Sequence, residues 1–522
     1  MKHLRIAAVA ALLASTTACA QKAAPLAATV DVTGGKVAGA TQGGLMVFKG
    51  IPFAAPPVGK LRWAEPAPVV PWQGTRQASE YGAPCMQDGS MLKFMGVAAT
   101  PSEDCLYLNV WTPAKTGNDK LPVMVWIYGG GFAGGATSAP LYDGSKLAGQ
   151  GVIVVSVAYR LGALGFMADP ELSKESGHGS GNYGLEDQIA GLKWVRDNIA
   201  KFGGDPANVT IFGESAGGIA VSMLGASPLA KGLFAKAISE SGGNFGPARK
   251  DGEGGVNMRT LADAEKQGEG FLKALGAADL AAARALPAGK IQAGPGANAM
   301  GGFWPNFDGH VLPGDQYVLY GQGKFNDTPV LIGTNSDEGA LFVQGPVAPA
   351  QFEKQIRTQY DGSADALLAV YPHATPAEAL QASRDVFRDT AFAWPTWTWA
   401  KLQTAKGSHP AYVYYFDVRT PEQPGGSSHA SEMPYVFGNI DVPAVGGSKP
   451  DKATSDQMMA YWTNFAKTGD PNGSGLPQWP KFTLKDQQVR VLGTSPGVSP
   501  VPHLPMLQAW DDYYAKLRTA GS

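Results

Sequence analysis

Thr210-Ile211-Phe212-Gly213-Glu214-Ser215-Ala216-Gly217-Gly218 is a β-branched and aromatic run that ends in a serine set among small residues. Its reading decides the fold. A G-x-S-x-G pattern marks a nucleophile elbow only where a strand precedes the serine, a helix follows it and small neighbours allow the sharp turn. The chain satisfies the pattern twice, because Gly493-Thr494-Ser495-Pro496-Gly497 also fits, so spacing alone does not choose.

Context separates the two serines. Ser215 is preceded by the strand-like VTIF and followed by AGGIAVSML, an apolar helix whose N-terminus favours developing negative charge. Ser495 is followed by Pro496, which has no backbone N–H and cannot supply the oxyanion donor expected of the residue after a nucleophile. Ser495 therefore reads as a turn residue. Upstream, Trp126 to Phe132 (WIYGGGF) sets three glycines directly after a strand, where peptide N–H groups approach a substrate oxygen with no side chain in the way. Paired with the elbow, this reads as an oxyanion loop.

Around these motifs, short apolar runs read as strands: 123–128, 152–157, 209–212, 237–238, 330–332 and 412–416. Their continuous apolarity fits parallel strands covered on both faces. Between the second and third, Ile189, Leu192, Val195, Ile199 and Phe202 form one helical stripe across 186–202. Alternating strands and helices predict a doubly wound α/β fold, with antiparallel strands over 29–53 at its front edge and helical or irregular insertions over 250–310 and 345–400.

The totals agree. Of 522 residues, 44% are hydrophobic and 16% charged, enough for a large core, and 68 glycines with 39 prolines point to many turns and loops. A formal net charge of -2 without long Lys/Arg runs lacks the electrostatic footprint of a nucleic-acid binder. Lys2 and Arg5 followed by apolar Ile6 to Ala14 and the small residues Ala18-Cys19-Ala20 read as an export signal over 1–20, with 21–522 as a single domain grown by insertions. The expected destination is the periplasm or the medium. Lipid anchoring through Cys19 is the alternative, although Thr16 stands where a lipoprotein signal usually has an aliphatic residue. Two cysteines remain, Cys85 and Cys105, and an exported chain with such a pair suggests a disulfide.

The segments EDCLYLNV (103–110) and FGESAGG (212–218) resemble the two signature segments of the type-B carboxylesterase family, which includes cholinesterases and bacterial para-nitrobenzyl esterases. FKGIPFAAPPVGKLRW, YGGGF, GNYGLEDQ, NSDEG and MPYVFGNI recur in the expected order. The resemblance implies an α/β-hydrolase fold, ester hydrolysis, and a Cys85–Cys105 bridge similar to the family's first disulfide loop.

A serine hydroxyl needs a histidine to take its proton and an acid to hold that histidine. In α/β-hydrolases the acid and then the histidine follow the serine in the chain. After the strand at 330–332 come Asp337 and Glu338, which the residues alone do not separate; the family pattern selects Glu338 and leaves Asp337 as a surface or loop-capping residue. Of the later histidines, His373 and His503 lie in flanking segments and His409 starts a strand, the wrong end for a site at the C-terminal sheet edge. His429 follows that strand on its exit side and matches the family's catalytic position. Ser215 is thus the expected nucleophile, His429 the base and Glu338 the orienting acid, with Gly130, Gly131 and Ala216 as the oxyanion hole. Glu214 reads as a structural acid or a partner of the imidazolium, and Ser241 as similar to a serine that hydrogen-bonds the catalytic acid. No metal or organic cofactor is expected for this chemistry, and turnover is expected to rise with pH through the ordinary histidine range, about 6 to 7.

A small-molecule ester is the expected partner. The segment 86–104 has no tryptophan of the kind that choline-selective members present to a cation, which argues against a choline ester. Met91, Phe94, Met95, Met300, Phe303, Trp304, Phe342 and Trp394 are the candidates for an apolar entrance. The rival readings are an amide or carbamate hydrolase, since the acyl chemistry is shared, and a catalytically inactive binding or adhesion protein on the same fold.

Overall fold

The computed structural model describes residues 26–249, 257–421, 423–442 and 450–520. The export-signal reading of 1–20, with Cys19, lies outside them. An 11-stranded sheet organises the chain. In sequence order its strands are β1 (Ala40–Gln42), β2 (Leu45–Pro52), β3 (Tyr107–Thr112), β4 (Leu121–Ile127), β5 (Ile153–Val157), β6 (Gly204–Glu214), β7 (Lys236–Glu240), β8 (Val330–Asn335), β9 (Ala411–Asp417), β10 (Gln488–Gly493) and β11 (Gly497–Pro500). Across the sheet they run β11-β10-β9-β8-β7-β6-β4-β5-β3-β2-β1.

From β5 to β10 every neighbouring pair is parallel, whereas β1, β2 and β3 form an antiparallel edge; of the front strands expected over 29–53 only β1 and β2 belong to it, and β3 joins it unforeseen. Every residue of β5, β7 and β8 is buried, so the uninterrupted apolarity of these runs reflects cover on both faces. Thr29–Val32, Gly35–Ala38 and Thr75–Gln77 form a separate three-stranded sheet in which Gly35–Ala38 is the middle strand.

Helix α1 (Tyr183–Asn198) links β5 to β6 and carries the predicted stripe. Ile189, Leu192, Val195, Ile199 and Phe202 are all buried. The helix starts three residues earlier than expected, and its last turn tightens to 3₁₀ over Ile199–Phe202 before Gly203, at φ 82°, ends it. Helix α2 (Ala216–Ala226) leaves β6 and is buried along its whole length. The insertion over 250–310 carries the helices Leu261–Ala274, Leu280–Ala285 and Ala288–Gln292, and that over 345–400 contains α3 (Pro376–Arg388) and α4 (Trp394–Lys406) joined by a π-helical turn, Asp389–Ala393.

The topology fixes where chemistry can occur. The chain passes from β4 to β5 on one side and returns to β6 on the other, so the order reverses at β4. In open α/β sheets, ligands bind in the crevice beyond the strands' C-terminal ends at such a reversal. The glycines after β4 and Ser215 after β6 stand at that crevice.

Candidate active site

Ser215 sits between β6 and α2 at φ 55°, ψ -126°, a backbone conformation that non-glycine residues rarely adopt. The turn closes on neighbours that tolerate no side chain. A Cβ on Gly217 would lie 2.0 Å from the carbonyl oxygen of Ile127 in β4, and one on Gly213 would lie 2.5 Å from the carbonyl carbon of Gly217. The Ser215 N–H donates to the Glu240 carbonyl at 2.9 Å, fixing the turn against β7. Ser215 stays partly exposed while the residues around it are buried. Ser495, by contrast, is exposed in the turn between β10 and β11.

Beyond β4, Gly130 (φ 108°) and Gly131 (φ 63°) turn the chain, and the Gly130 carbonyl accepts from the N–H groups of Ala133 and Gly134. Among the described residues, the N–H groups of Gly130 and Gly131 make no hydrogen bond. Ala216 opens α2, where a helix's first N–H groups have no intrahelical acceptor. All three residues line one cavity with Ser215.

Glu338 lies just beyond β8 and is fully buried. Its Oε1 accepts from the Asn335 N–H at 2.7 Å and the Ser241 hydroxyl at 2.5 Å, while its Oε2 lies 2.6 Å from Nδ1 of His429. The loop after β9 that carries His429 is tied to the loop after β8. Ser427 N donates to the Ser336 hydroxyl, Asn335 Nδ2 to the Ser428 carbonyl, and Asp337 N to the Ser427 carbonyl. The acid and the imidazole therefore come from one hydrogen-bonded loop pair.

The Nδ1–carboxylate bond places a hydrogen on Nδ1, which leaves Nε2 as the lone-pair nitrogen of the neutral ring. Nε2 lies 3.1 Å from Glu214 Oε1, close enough for an ion pair but not aligned as a hydrogen bond. Burial lowers the proton affinity of His429, yet the carboxylates of Glu214 and Glu338 outweigh it and raise the ring to about 9. That is above the ordinary histidine range of about 6 to 7. Burial pushes Glu214 up to about 7 and Glu432 up to about 8, and raises Glu240 well above the usual carboxylate range. The last two find partners in Asn335 Nδ2 at 2.5 Å and Trp462 Nε1 at 2.6 Å.

Ser215, His429, Glu214 and the glycine loop line a cavity of about 370 Å³ whose remaining wall is apolar. Of the expected entrance residues, Met91, Phe94, Met95, Met300, Trp304 and Phe342 line it. Phe303 packs against Phe271 and Trp394 bonds Asp511 in the core, so neither belongs to the wall. Phe387 and Phe392 join it unforeseen, and Phe392 stacks on the His429 ring at 4.5 Å and 16°. Asp337 is corrected as well: it is buried beside Gln381, 3.7 Å from Arg384, and its side chain caps no helix. His409 pairs with Asp327, His373 bonds the Tyr371 carbonyl and His503 lies beside Tyr415, all outside the cavity.

Cys85 and Cys105 form the disulfide. Its loop holds the helix Gly89–Phe94, which brings Met91 and Phe94 to the cavity, and Gln87, which exchanges two hydrogen bonds with the backbone of Gly135.

Comparison with known proteins decides the family. The carboxylesterase family model matches residues 26–504. The chain belongs to the carboxylesterase family. The fumonisin B1 esterase of Sphingopyxis macrogoltabida is 37% identical over 92% of this chain and 90% of its own length. The para-nitrobenzyl esterase of Bacillus subtilis (strain 168) is 37% identical over 88% and 93%. A solved para-nitrobenzyl esterase structure superposes with a TM-score of 0.80 at 35% identity, covering 92% of this chain and 99% of that one. This carboxylesterase is accordingly an α/β-hydrolase that cleaves carboxylic esters, with a small-molecule ester as substrate.

Proposed function

We propose that this esterase works through an acyl-enzyme on Ser215, with His429 as general base and acid and Glu338 as the orienting acid. The observation that carries the reading is the single His429 ring, bonded through Nδ1 to Glu338 and presenting Nε2 beside the cavity that Ser215 lines. Neutral His429 takes the Ser215 proton as Oγ attacks the ester carbonyl. The N–H groups of Gly130, Gly131 and Ala216 receive the oxyanion, and removing one such donor typically costs about 10²- to 10³-fold in rate. His429 then protonates the leaving alcohol, and water, activated by the same ring, releases the acid. Glu214 stabilises the imidazolium, and Ser241 holds Glu338 in place. The apolar wall favours uncharged acyl and alcohol groups.

We further read residues 1–20 as an export leader ahead of a single domain, which places the mature enzyme in the periplasm or the medium, or on a membrane through lipidated Cys19. No helix among the described residues is long and apolar enough to cross a membrane.

A fluorophosphonate probe tests the mechanism. The wild type should carry one covalent adduct on Ser215, and Ser215→Ala should lose ester turnover while keeping its circular-dichroism spectrum. Absence of labelling on folded wild type would favour the inactive binding reading, and a panel of matched esters, amides and carbamates separates the three acyl substrates.

A further inference from the structure

Outside the active-site cavity, three segments bring Glu65, His178 and His310 together. One ring nitrogen of each histidine and one Glu65 oxygen all lie within 4.8 Å of one another. His178 follows the helix Pro170–Ser176, His310 sits just beyond the short strand Asn306–Phe307, and Glu65 lies beyond the turn Gly59–Leu61. The cluster takes no part in the proposed ester chemistry.

The hydrogen bonds of His178 single it out. Its Nδ1 lies 2.8 Å from the Gly179 carbonyl oxygen, which can only accept, so Nδ1 carries the hydrogen. In the neutral ring the Nε2 lone pair then faces Glu65 Oε1 at 2.9 Å. Two electron-rich atoms at that separation require a positive charge in common: a second ring proton or a metal cation.

Two more carboxyl groups stand nearby, and burial pushes that of Glu186 up to about 8, toward its neutral form. Asp308 and Glu186 are both more than nine-tenths buried, and Asp308 Oδ2 and Glu186 Oε2 have no hydrogen-bond partner among the described residues. Asp308 holds the His310 N–H at 3.0 Å through Oδ1, and Glu186 lies within the electrostatic reach of Glu65 and Asp308. Arg160 gives its hydrogen bonds to Asp187, through two bonds of 2.8 Å, and acts on Glu186 through charge alone. The His310 ring stacks on His178 at 3.8 Å and 15° and makes no hydrogen bond among the described residues. Stacked imidazoles aim their lone pairs side by side, so capture of an ion requires His310 to turn about its Cβ–Cγ bond, and no bond holds it back.

We propose that Glu65, His178 and His310 form a three-ligand site for a zinc-type divalent cation. Two imidazoles and a carboxylate suit Zn²⁺, with ligand bonds of about 2.0–2.2 Å and a fourth position left to water. Donors on one tetrahedral ion stand about 3.4 Å apart, so the exposed Glu65 must draw back slightly from His178 while the His310 ring turns in. A bound ion joins three chain segments and stabilises the folded state by mass action.

The test uses the full-length protein stripped of metal with a chelator. Calorimetric titration with zinc chloride should reveal a binding event that weakens by more than about tenfold in the double variant His178→Ala/His310→Ala. Glu65→Gln, a milder change at an exposed position, should weaken the same event and keep the site testable if the double variant fails to fold. Cobalt chloride should give the visible absorption bands of a tetrahedral site in the wild type alone, and zinc should raise the melting temperature of the wild type but not of the variants. Ester turnover of the metal-free variants should match the metal-free wild type. Identical zinc titrations for wild type and both variants would overturn the proposal, as would a melting temperature that responds to acidification in the histidine range but not to zinc.

Discussion

Nε2 of His429 lies 3.1 Å from Oε1 of Glu214, so the nitrogen proposed to act as base shares its surroundings with a carboxylate that favours the protonated ring. The consequence is a pH profile set by a pair of groups. With His429 raised to about 9, the neutral ring becomes abundant only toward alkaline pH, and kcat/KM should climb beyond the range of an ordinary histidine. Glu214→Gln removes the first of the carboxylates responsible and should move the rising limb to lower pH. The stability effect has the opposite sense. A group raised from 6.5 to about 9 on folding contributes stability fully present below about 6.5 and lost as pH rises through about 9. Rate profiles and melting temperatures of both proteins across pH 5 to 10 check both limbs, and an unmoved limb in Glu214→Gln would remove Glu214 from the account.

The elbow glycines should differ in what they tolerate. Gly217→Ala sets a methyl 2.0 Å from the Ile127 carbonyl, part of a central strand that cannot retreat. It should cost about 3 kcal/mol or more in denaturant unfolding and eliminate activity. Gly131→Ala meets the side chain of Met300 at 2.9 Å, which can swing away, although φ 63° still strains the alanine. That variant should stay folded and lose turnover selectively, so the ratio of lost activity to lost stability separates a packing glycine from an oxyanion-loop glycine.

How much of this was legible in the sequence follows from the range of the forces involved. Strand interiors such as 153–157 and 330–332 were readable because burial on both faces leaves a local apolar run. The elbow was readable because close backbone approach demands glycine at fixed offsets. The small front sheet was not, because pairing of Gly35–Ala38 with the exposed Thr75–Gln77 is a tertiary choice between short, weakly patterned strands. Glu338 and Asp337 adjoin one another, and resemblance separated them; their burial, alike in both, carries no sequence signal. The raised proton affinity of His429 was hidden because it depends on Glu214, 215 residues away in the chain but adjacent in space. Phe392 was hidden for another reason: its direction is set by a π-helical turn between α3 and α4, and periodicity arguments assume regular helix.

Phe392 supplies a third prediction. Its ring lies at 16° to the His429 imidazole with centroids 4.5 Å apart, and Phe342 flanks the same ring at 5.1 Å. Stacking of this kind restricts the rotation of His429 about its side-chain bonds while leaving its Nδ1 bond to Glu338 in place. Phe392→Ala should lower kcat by about tenfold through lost orientation, with Phe392→Tyr recovering most of it. Because the residue is buried, the alanine variant should also lose about 3 kcal/mol of stability, and measurements well below its melting temperature isolate the kinetic effect.

The Cys85–Cys105 bridge should couple stability to substrate binding. It closes a separation of 20 residues, worth about 3 kcal/mol in the chain-entropy account, so Cys85→Ala/Cys105→Ala should melt at a lower temperature than the oxidised wild type. The loop it closes does more than shorten the unfolded chain. It carries the helix Gly89–Phe94, whose Met91 and Phe94 line the cavity, and Gln87, whose side chain donates to the Gly135 carbonyl at 2.7 Å and accepts from the Gly135 N–H at 2.8 Å. Gly135 ends the same glycine-rich turn that begins at Gly129. Loosening the loop should therefore raise KM through the cavity wall and, to a smaller degree, lower kcat through the turn. Gln87→Ala, with the bridge intact, should reproduce the loss in kcat without the loss in melting temperature. Equal kinetics in the double cysteine variant and the wild type would show that the bridge acts on the unfolded chain alone.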